Sequence, residues 1–194
     1  MAILKEEVGE ESQSLAASAT TCRRLLIDEP NFEKAPQVRL LLAQVLLRRG
    51  KHSEVIDAVE ALVREHPKSD ARCEGWLLMG DALSTQGEQE KAVGRYRLVS
   101  SLNGCSAIAR QQAQYRLAWG LIKQKRTKDG ANQLRQLLDE PEVSGLFKER
   151  VLRDLALAWS RGEPAEAAAR LLLSYGGKDL GWQLVRQMAK QLLR

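Results

Sequence analysis

Apolar and small residues recur along this chain at spacings of three and four, and short polar or Gly- and Pro-bearing breaks interrupt them at regular intervals. Leu77, Gly80 and Leu83 form one such stripe, and Val55, Val59 and Leu62 form another. This is the period of amphipathic helices, since a half-buried strand would alternate every second residue. The breaks fall at Gly50, His66-Pro67, Gln86-Gly87, Lys125-Arg126-Thr127, Pro141 and Gly162-Glu163-Pro164, where residue types that end helices or turn the chain are concentrated. The pattern predicts an all-α chain of helical hairpins.

Aligned on the small residue inside each first helix, the hairpins repeat. Ala43, Gly80, Ala118 and Ala156 are 37, 38 and 38 residues apart, a regularity that marks an array of supersecondary units. The predicted repeats span 36–69, 72–104, 110–141 and 148–175. Upstream, Arg24 to Pro30 resembles Leu62 to Pro67, with the two prolines again 37 apart, so 12–31 reads as a half-repeat, the second helix of a preceding unit. Beyond Tyr175-Gly176-Gly177, the residues Trp182, Val185, Met188 and Leu192 keep a three-to-four spacing. They predict a capping helix over 179–193, as the exposed end of an array requires. Residues 1–194 are thus expected to form a single solenoid domain.

Composition agrees with helix and removes competing classes. The 194 residues are 44% hydrophobic and 28% charged, apolar enough for a core and therefore against a disordered chain. With 5 Pro and 14 Gly, the chain lacks the turn density of a sandwich or barrel. A formal net charge of +5 permits an acidic partner without demanding nucleic acid. The three cysteines, Cys22, Cys73 and Cys105, are odd in number and spaced by 51 and 32 residues, which reads as reduced, buried thiols and not as a disulfide framework or a zinc site. No apolar run approaches the ~20 residues of a membrane span. The start lacks the architecture of a signal peptide, so the expected location is cytoplasmic, with the periplasm as the alternative if a leader has been removed.

Catalytic chemistry is not expected. His52 lies in a polar turn and His66 immediately before Pro67, neither placed like a general base. There is no phosphate-binding Gly loop, nucleophile elbow or His pair at metal-ligand spacing. The expectation is a chain that is not an enzyme and takes no metal or cofactor.

In residues 73–104 the positions Trp76, Leu77, Met79, Gly80, Leu83, Gly87, Ala92, Tyr96 and Val99 resemble the apolar and small positions of the tetratricopeptide repeat family. The likeness extends over about 12–175, and Tyr115-Arg116-Leu117-Ala118-Trp119 is similar to units of bacterial cell-envelope proteins. The units depart from the family standard in their length and in having Val55 and Gly130 where Ala is usual. The resemblance implies a right-handed superhelical solenoid whose first helices line a concave groove. On that register the groove takes Leu40, Leu41, Gln44, Leu47 and Arg48, then Leu77, Leu78, Asp81, Ser84 and Thr85. It continues with Tyr115, Arg116, Trp119, Ile122 and Lys123, and ends with Arg153, Asp154, Leu157, Ser160 and Arg161.

Trp119 follows Ala118 and so points about 100° off the packing stripe, whereas Trp76 and Trp159 read as core. The groove would be apolar at the amino end and basic-aromatic at the carboxyl end. The expected function is a protein-protein interaction scaffold or adaptor binding a peptide or helix with acidic and apolar residues, anchored on Tyr115 and Trp119 and paired with Arg116, Arg153 and Arg161. Two alternatives come from other classes. One is an RNA-binding solenoid using Arg23, Arg24, Arg48, Arg49, Arg110 and the basic run from Lys123 to Lys128. The other is a structural or self-assembly module whose Leu40, Leu41 and Leu47 are covered by a second copy in a homo-oligomer or by a further amino-terminal helix.

Overall fold

The computed structural model describes residues 2–29, 31–160 and 165–192, with the side chains of the first helix described from Glu10 onward. Among the described residues every regular element is helical. The chain divides into two compact units, Met1–Cys105 and Ser106–Arg194. The turn expected at Gly162-Glu163-Pro164 and the proline match at Pro30 lie outside the described residues.

Unit 1 holds α1 (Ala2–Asp28), α2 (Ala35–Arg48), α3 (His52–Glu65), α4 (Ala71–Thr85) and α5 (Gln89–Ser101). Helices α2 and α3 form one hairpin and α4 and α5 the next, with α1 packed on α2, α3 on α4, and α2 on α4. The half-repeat drawn at 12–31 corresponds to the later part of α1. That helix begins earlier, because residues 2–11 hold four Glu beside Ala2, Leu4 and Lys5, residue types that favour helix even without an apolar stripe. Its core-facing side chains are Ala19, Cys22 and Leu26, at the spacing of one helix face.

Unit 2 holds α6 (Ala107–Lys123), α7 (Thr127–Leu138), α8 (Gly145–Trp159) and α9 (Ala165–Leu192). Helix α6 starts on Ser106, whose Oγ accepts a hydrogen bond from the Ala109 N–H at 3.2 Å and satisfies one of the first-turn donors. Helix α9 is two helical segments joined at Gly177, whose φ of 66° and ψ of −165° are non-helical. The second segment folds back on the first: a Cβ on Gly181 would lie 2.9 Å from the Leu172 carbonyl oxygen. Leu184 and Met188 of this terminal segment are buried with Leu152, Leu155 and Leu172 in the unit 2 core.

The repeat register is visible in the packing. Ala43, Ala118 and Ala156 are at most 3% exposed, and Gly80 is buried. Twelve residues further on, Val55, Ala92, Gly130 and Ala168 are buried in the second helices. The turn inside each of the first three hairpins is the same Schellman closure. Lys51 N–H donates to Leu46, Glu88 to Leu83 and Arg126 to Leu121, each at 2.9 Å, and the inner bonds are Gly50 to Leu47, Gly87 to Ser84 and Lys125 to Ile122.

One sequence expectation is overturned. Cys73 and Cys105 are joined in a disulfide with Cα atoms 5.7 Å apart, and Cys22 alone is a free, buried thiol. A helical hairpin leads the chain out and back, so residues just before and just after the α4–α5 hairpin are neighbours despite a separation of 32. Counting cysteines against disulfide-framework spacings does not register this. Trp159, at 6% exposure, is core as expected, and Trp76 is half-buried with the Arg72 guanidinium 5.8 Å from its ring centroid.

Candidate partner-binding faces

In unit 1 the expected groove residues lie on α2 and α4. Leu40, Leu47 and Leu78 are half-buried, Arg48 is exposed, and Leu41 is 48% exposed. Gln44 donates from Nε2 to Glu74 Oε1 at 2.7 Å, tying α2 to α4. Asp81 accepts from the Tyr96 hydroxyl at 2.8 Å, so its carboxylate also holds α5 against α4. Leu77, counted with this face on spacing alone, is 2% exposed and belongs to the core. A cleft of about 570 Å³ brings Arg48 together with Arg49, Lys51, Glu11, Ser12 and Leu15.

In unit 2 three of the expected residues, Tyr115, Trp119 and Asp154, meet in a polar node. The Tyr115 hydroxyl donates to Asp154 Oδ2 at 2.6 Å, and Trp119 Nε1 donates to the same oxygen at 3.3 Å. Burial, and then the bond to Asp154, push the Tyr115 phenol up to about 12, so it stays a neutral donor at ordinary pH. Arg116 donates to Gln112 Oε1 at 3.4 Å, and Arg153 pairs with Glu149 at 3.3 Å on an exposed surface. Leu157 is half-buried and Lys123 exposed. Arg161 lies outside the described residues.

The amino-terminal halves of α6 and α8 enclose a cleft of about 610 Å³ lined by Ile108, Gln111, Gln112, Tyr115, Arg116, Glu142, Ser144, Phe147 and Arg150. The Tyr115 and Phe147 rings meet edge to face with centroids 5.8 Å apart. Ile108, Gln111, Phe147 and Arg150 were not among the sequence candidates. Ile108 lies seven residues before Tyr115 and Phe147 nine before Ala156, so continuing the groove stripe two further turns toward each helix start would have reached them.

No family model and no curated protein sequence matches the chain. Solved structures do. Over 96% of this chain and 73% of the other, it superposes on a tetratricopeptide repeat protein from Parabacteroides merdae with a TM-score of 0.67 and 17% identity. BtubC (BKLC) from P. vanneervenii matches over 95% and 85% of the two chains with a TM-score of 0.68 and 14% identity. MamA residues 41-end from Desulfovibrio magneticus RS-1 match over 84% and 93%, with a TM-score of 0.58 and 22% identity. The hairpins described above therefore have the fold of a tetratricopeptide-type helical solenoid. Among the described residues no helix is long and apolar enough to cross a membrane, and no three His, Cys, Asp or Glu side chains gather as metal ligands.

Proposed function

We propose that this chain is a non-enzymatic interaction scaffold that holds a segment of a partner protein against the first helices of its hairpins. In unit 2 the contacts are Tyr115, Arg116, Trp119, Lys123, Arg153, Leu157 and Arg161; in unit 1 they are Leu40, Gln44, Leu47, Arg48, Leu78 and Asp81. The observation that carries this reading is the Tyr115–Asp154–Trp119 node, which fixes two large, half-buried aromatic side chains on the first-helix face with their polar tips already satisfied. Rigid aromatic anchors give contact area at little entropic cost on binding. RNA binding is less well supported, because several of the basic residues that would meet phosphates are engaged with carboxylates: Arg23 with Glu54, Arg24 with Asp28, and Arg126 with Asp129. The Cys73–Cys105 bond favours the periplasmic alternative over the cytoplasm, since reducing compartments keep thiols free.

Capture of the native partner from the source cell supplies the test. Trp119→Ala is expected to weaken that complex by ~2 kcal/mol as the loss of a hot spot, with circular dichroism showing the helices intact. A folded Trp119→Ala variant that binds like the parent would remove the first-helix face from the interaction.

A further inference from the structure

We propose that the segment of α9 after Gly177 carries a docking row for an anionic phospholipid bilayer, so that the chain attaches peripherally to a membrane surface through the last helix of unit 2. The row is separate from the first-helix face and does not depend on the scaffold reading above.

Lys178, Trp182, Arg186 and Lys190 follow one another at intervals of four, which sets them in one line along the helix surface. All four are exposed, because the segment turns its other side, with Gly181, Leu184 and Met188, into the unit 2 core. Trp182 is 52% exposed, and Leu192, on the flank of the row, is 48% exposed. A large ring and a leucine are thus left in solvent beside three cations.

The charges of this row are set differently from those on neighbouring helical stretches. On α8 and on the first segment of α9 an exposed arginine has a carboxylate one turn before it: Glu149 pairs with Arg153, and Glu166 with Arg170. The residues four before Arg186 and Lys190 are Trp182 and Arg186. Residues 178–192 hold three cations against one carboxylate, Asp179, and among the described residues no ion pair includes Lys178, Arg186 or Lys190. Like charges four apart destabilise a helix. An anionic surface laid along the row would reverse that cost.

A bilayer supplies both halves of what the row offers. Its headgroup phosphates meet the cations, whose long stems lie along apolar surface while their charges stay wet. The tryptophan ring, apolar with one N–H donor, sits at the boundary between headgroups and acyl chains. A single helix is also a convex surface, which a fluid bilayer accepts without a shaped counterpart. Because no helix among the described residues is long and apolar enough to cross a membrane, the attachment is peripheral, and it combines the apolar and basic signals that stable anchoring needs.

Flotation of the full chain with phosphatidylcholine vesicles, with and without about one-third phosphatidylglycerol, tests this. Binding to the anionic vesicles alone is expected, and added salt should weaken it. Trp182→Ala should weaken it about ten-fold, and the double variant Arg186→Glu, Lys190→Glu about thirty-fold or more. A control pair, Lys68→Glu with Lys128→Glu, lowers the net charge equally from other exposed positions and should bind like the parent. Every replaced side chain is exposed, and unchanged thermal melts verify that the variants fold. No binding to anionic vesicles, equal binding to neutral ones, an equal loss in the control pair, or parent-like binding by both α9 variants would each overturn the proposal. So would a dimer in analytical ultracentrifugation that Trp182→Ala dissolves, since a second copy would then cover the row, or tighter binding of an oligouridylate than of the anionic vesicles.

Discussion

Between α2 and α4 in unit 1, and between α6 and α8 in unit 2, first helices of successive hairpins occupy the same places in the repeat, yet the two seams are built differently. Helices α2 and α4 approach backbone to backbone, with half-buried Leu40 and Leu78 and the Gln44–Glu74 bond between them. Helices α6 and α8 lack that close approach. Long side chains bridge them instead, through Tyr115 and Trp119 on Asp154 and through the Tyr115–Phe147 ring contact. The open space left beside that bridge is the cleft. A repeat therefore fixes where helices lie, while the size and polarity of a few seam residues decide whether the seam becomes packed structure or a surface with room for a ligand.

The largest expected effect tests a second difference between the units, the covalent closure of the α4–α5 hairpin, which has no counterpart in unit 2 because that unit contains no cysteine. Replacing Cys73 and Cys105 together by Ser is expected to destabilise unit 1 by about 3–4 kcal/mol, the chain-entropy value for a loop of this length. Reductant should do the same to the parent and nothing to the variant. Hydrogen exchange resolves the location: protection should fall in α4 and α5 and hold in α7 and α8. Mass spectrometry after alkylation without reductant should count one reactive thiol on the unfolded parent, that of Cys22. Three alkylated thiols in protein prepared from its native compartment would show that the bond does not form there.

Much of the architecture was legible in the sequence because burial repeats with the fold. The small residues at Ala43, Gly80, Ala118 and Ala156 gave the register, and the apolar spacing gave two helices for each unit. The seam chemistry was not legible in the same way. Nothing in the local sequence ties Trp119 to Asp154, 35 residues away; spacing showed that its ring leaves the packing stripe, but not what its indole N–H meets. The disulfide was hidden for a related reason. Cys73 and Cys105 are close only because α4 and α5 lead out and back, so the pairing follows from the hairpin and not from cysteine spacing. The cleft is legible only in part: the groove register reaches Tyr115 and Arg116 on the central turns, while Ile108 and Phe147 lie nearer the helix starts, beyond it.

A second test concerns how tightly each hairpin closes. In unit 1 a Cβ added to Gly80 would lie 2.4 Å from the Tyr96 ring, and that ring is 4% exposed and held by its hydroxyl to Asp81, so it has little freedom to withdraw. Gly80→Leu is therefore expected to cost ~1–3 kcal/mol by overpacking. The counterpart in unit 2 lies on the second helix, where a Cβ on Gly130 would meet the Ala118 carbonyl oxygen at 2.7 Å and Ile122 at 2.5 Å. Gly130→Leu should cost a similar amount, since there the obstacle includes backbone. Urea unfolding of the two variants measures both, and a Gly80→Leu midpoint equal to the parent's would contradict the register used for every groove position.

The smallest effect concerns the turns that close the hairpins, where the two units differ by one residue type. Gly50 and Gly87 in unit 1 have φ of 68° and 86°, and the matching position in unit 2 is Lys125, with φ of 64°. The hydrogen bonds around all three are the same, so the lysine has been drawn into a left-handed conformation by the Schellman closure that α6 and α7 require. An L-residue with a Cβ loses roughly 1–2 kcal/mol in that region, and glycine there avoids the clash but gives up roughly 0.5–1 kcal/mol through its freer unfolded chain. Lys125→Gly should accordingly stabilise unit 2 by somewhat under about 1 kcal/mol, a rise of roughly 1–3 °C in melting temperature for a chain of this size. The reverse change, Gly87→Lys, should lower the melting temperature by a comparable amount. If Lys125→Gly leaves the melt unchanged or lowers it, the lysine stem contributes packing at that turn that offsets its backbone strain, and the turns of the two units are not equivalent in energy despite their identical hydrogen bonding.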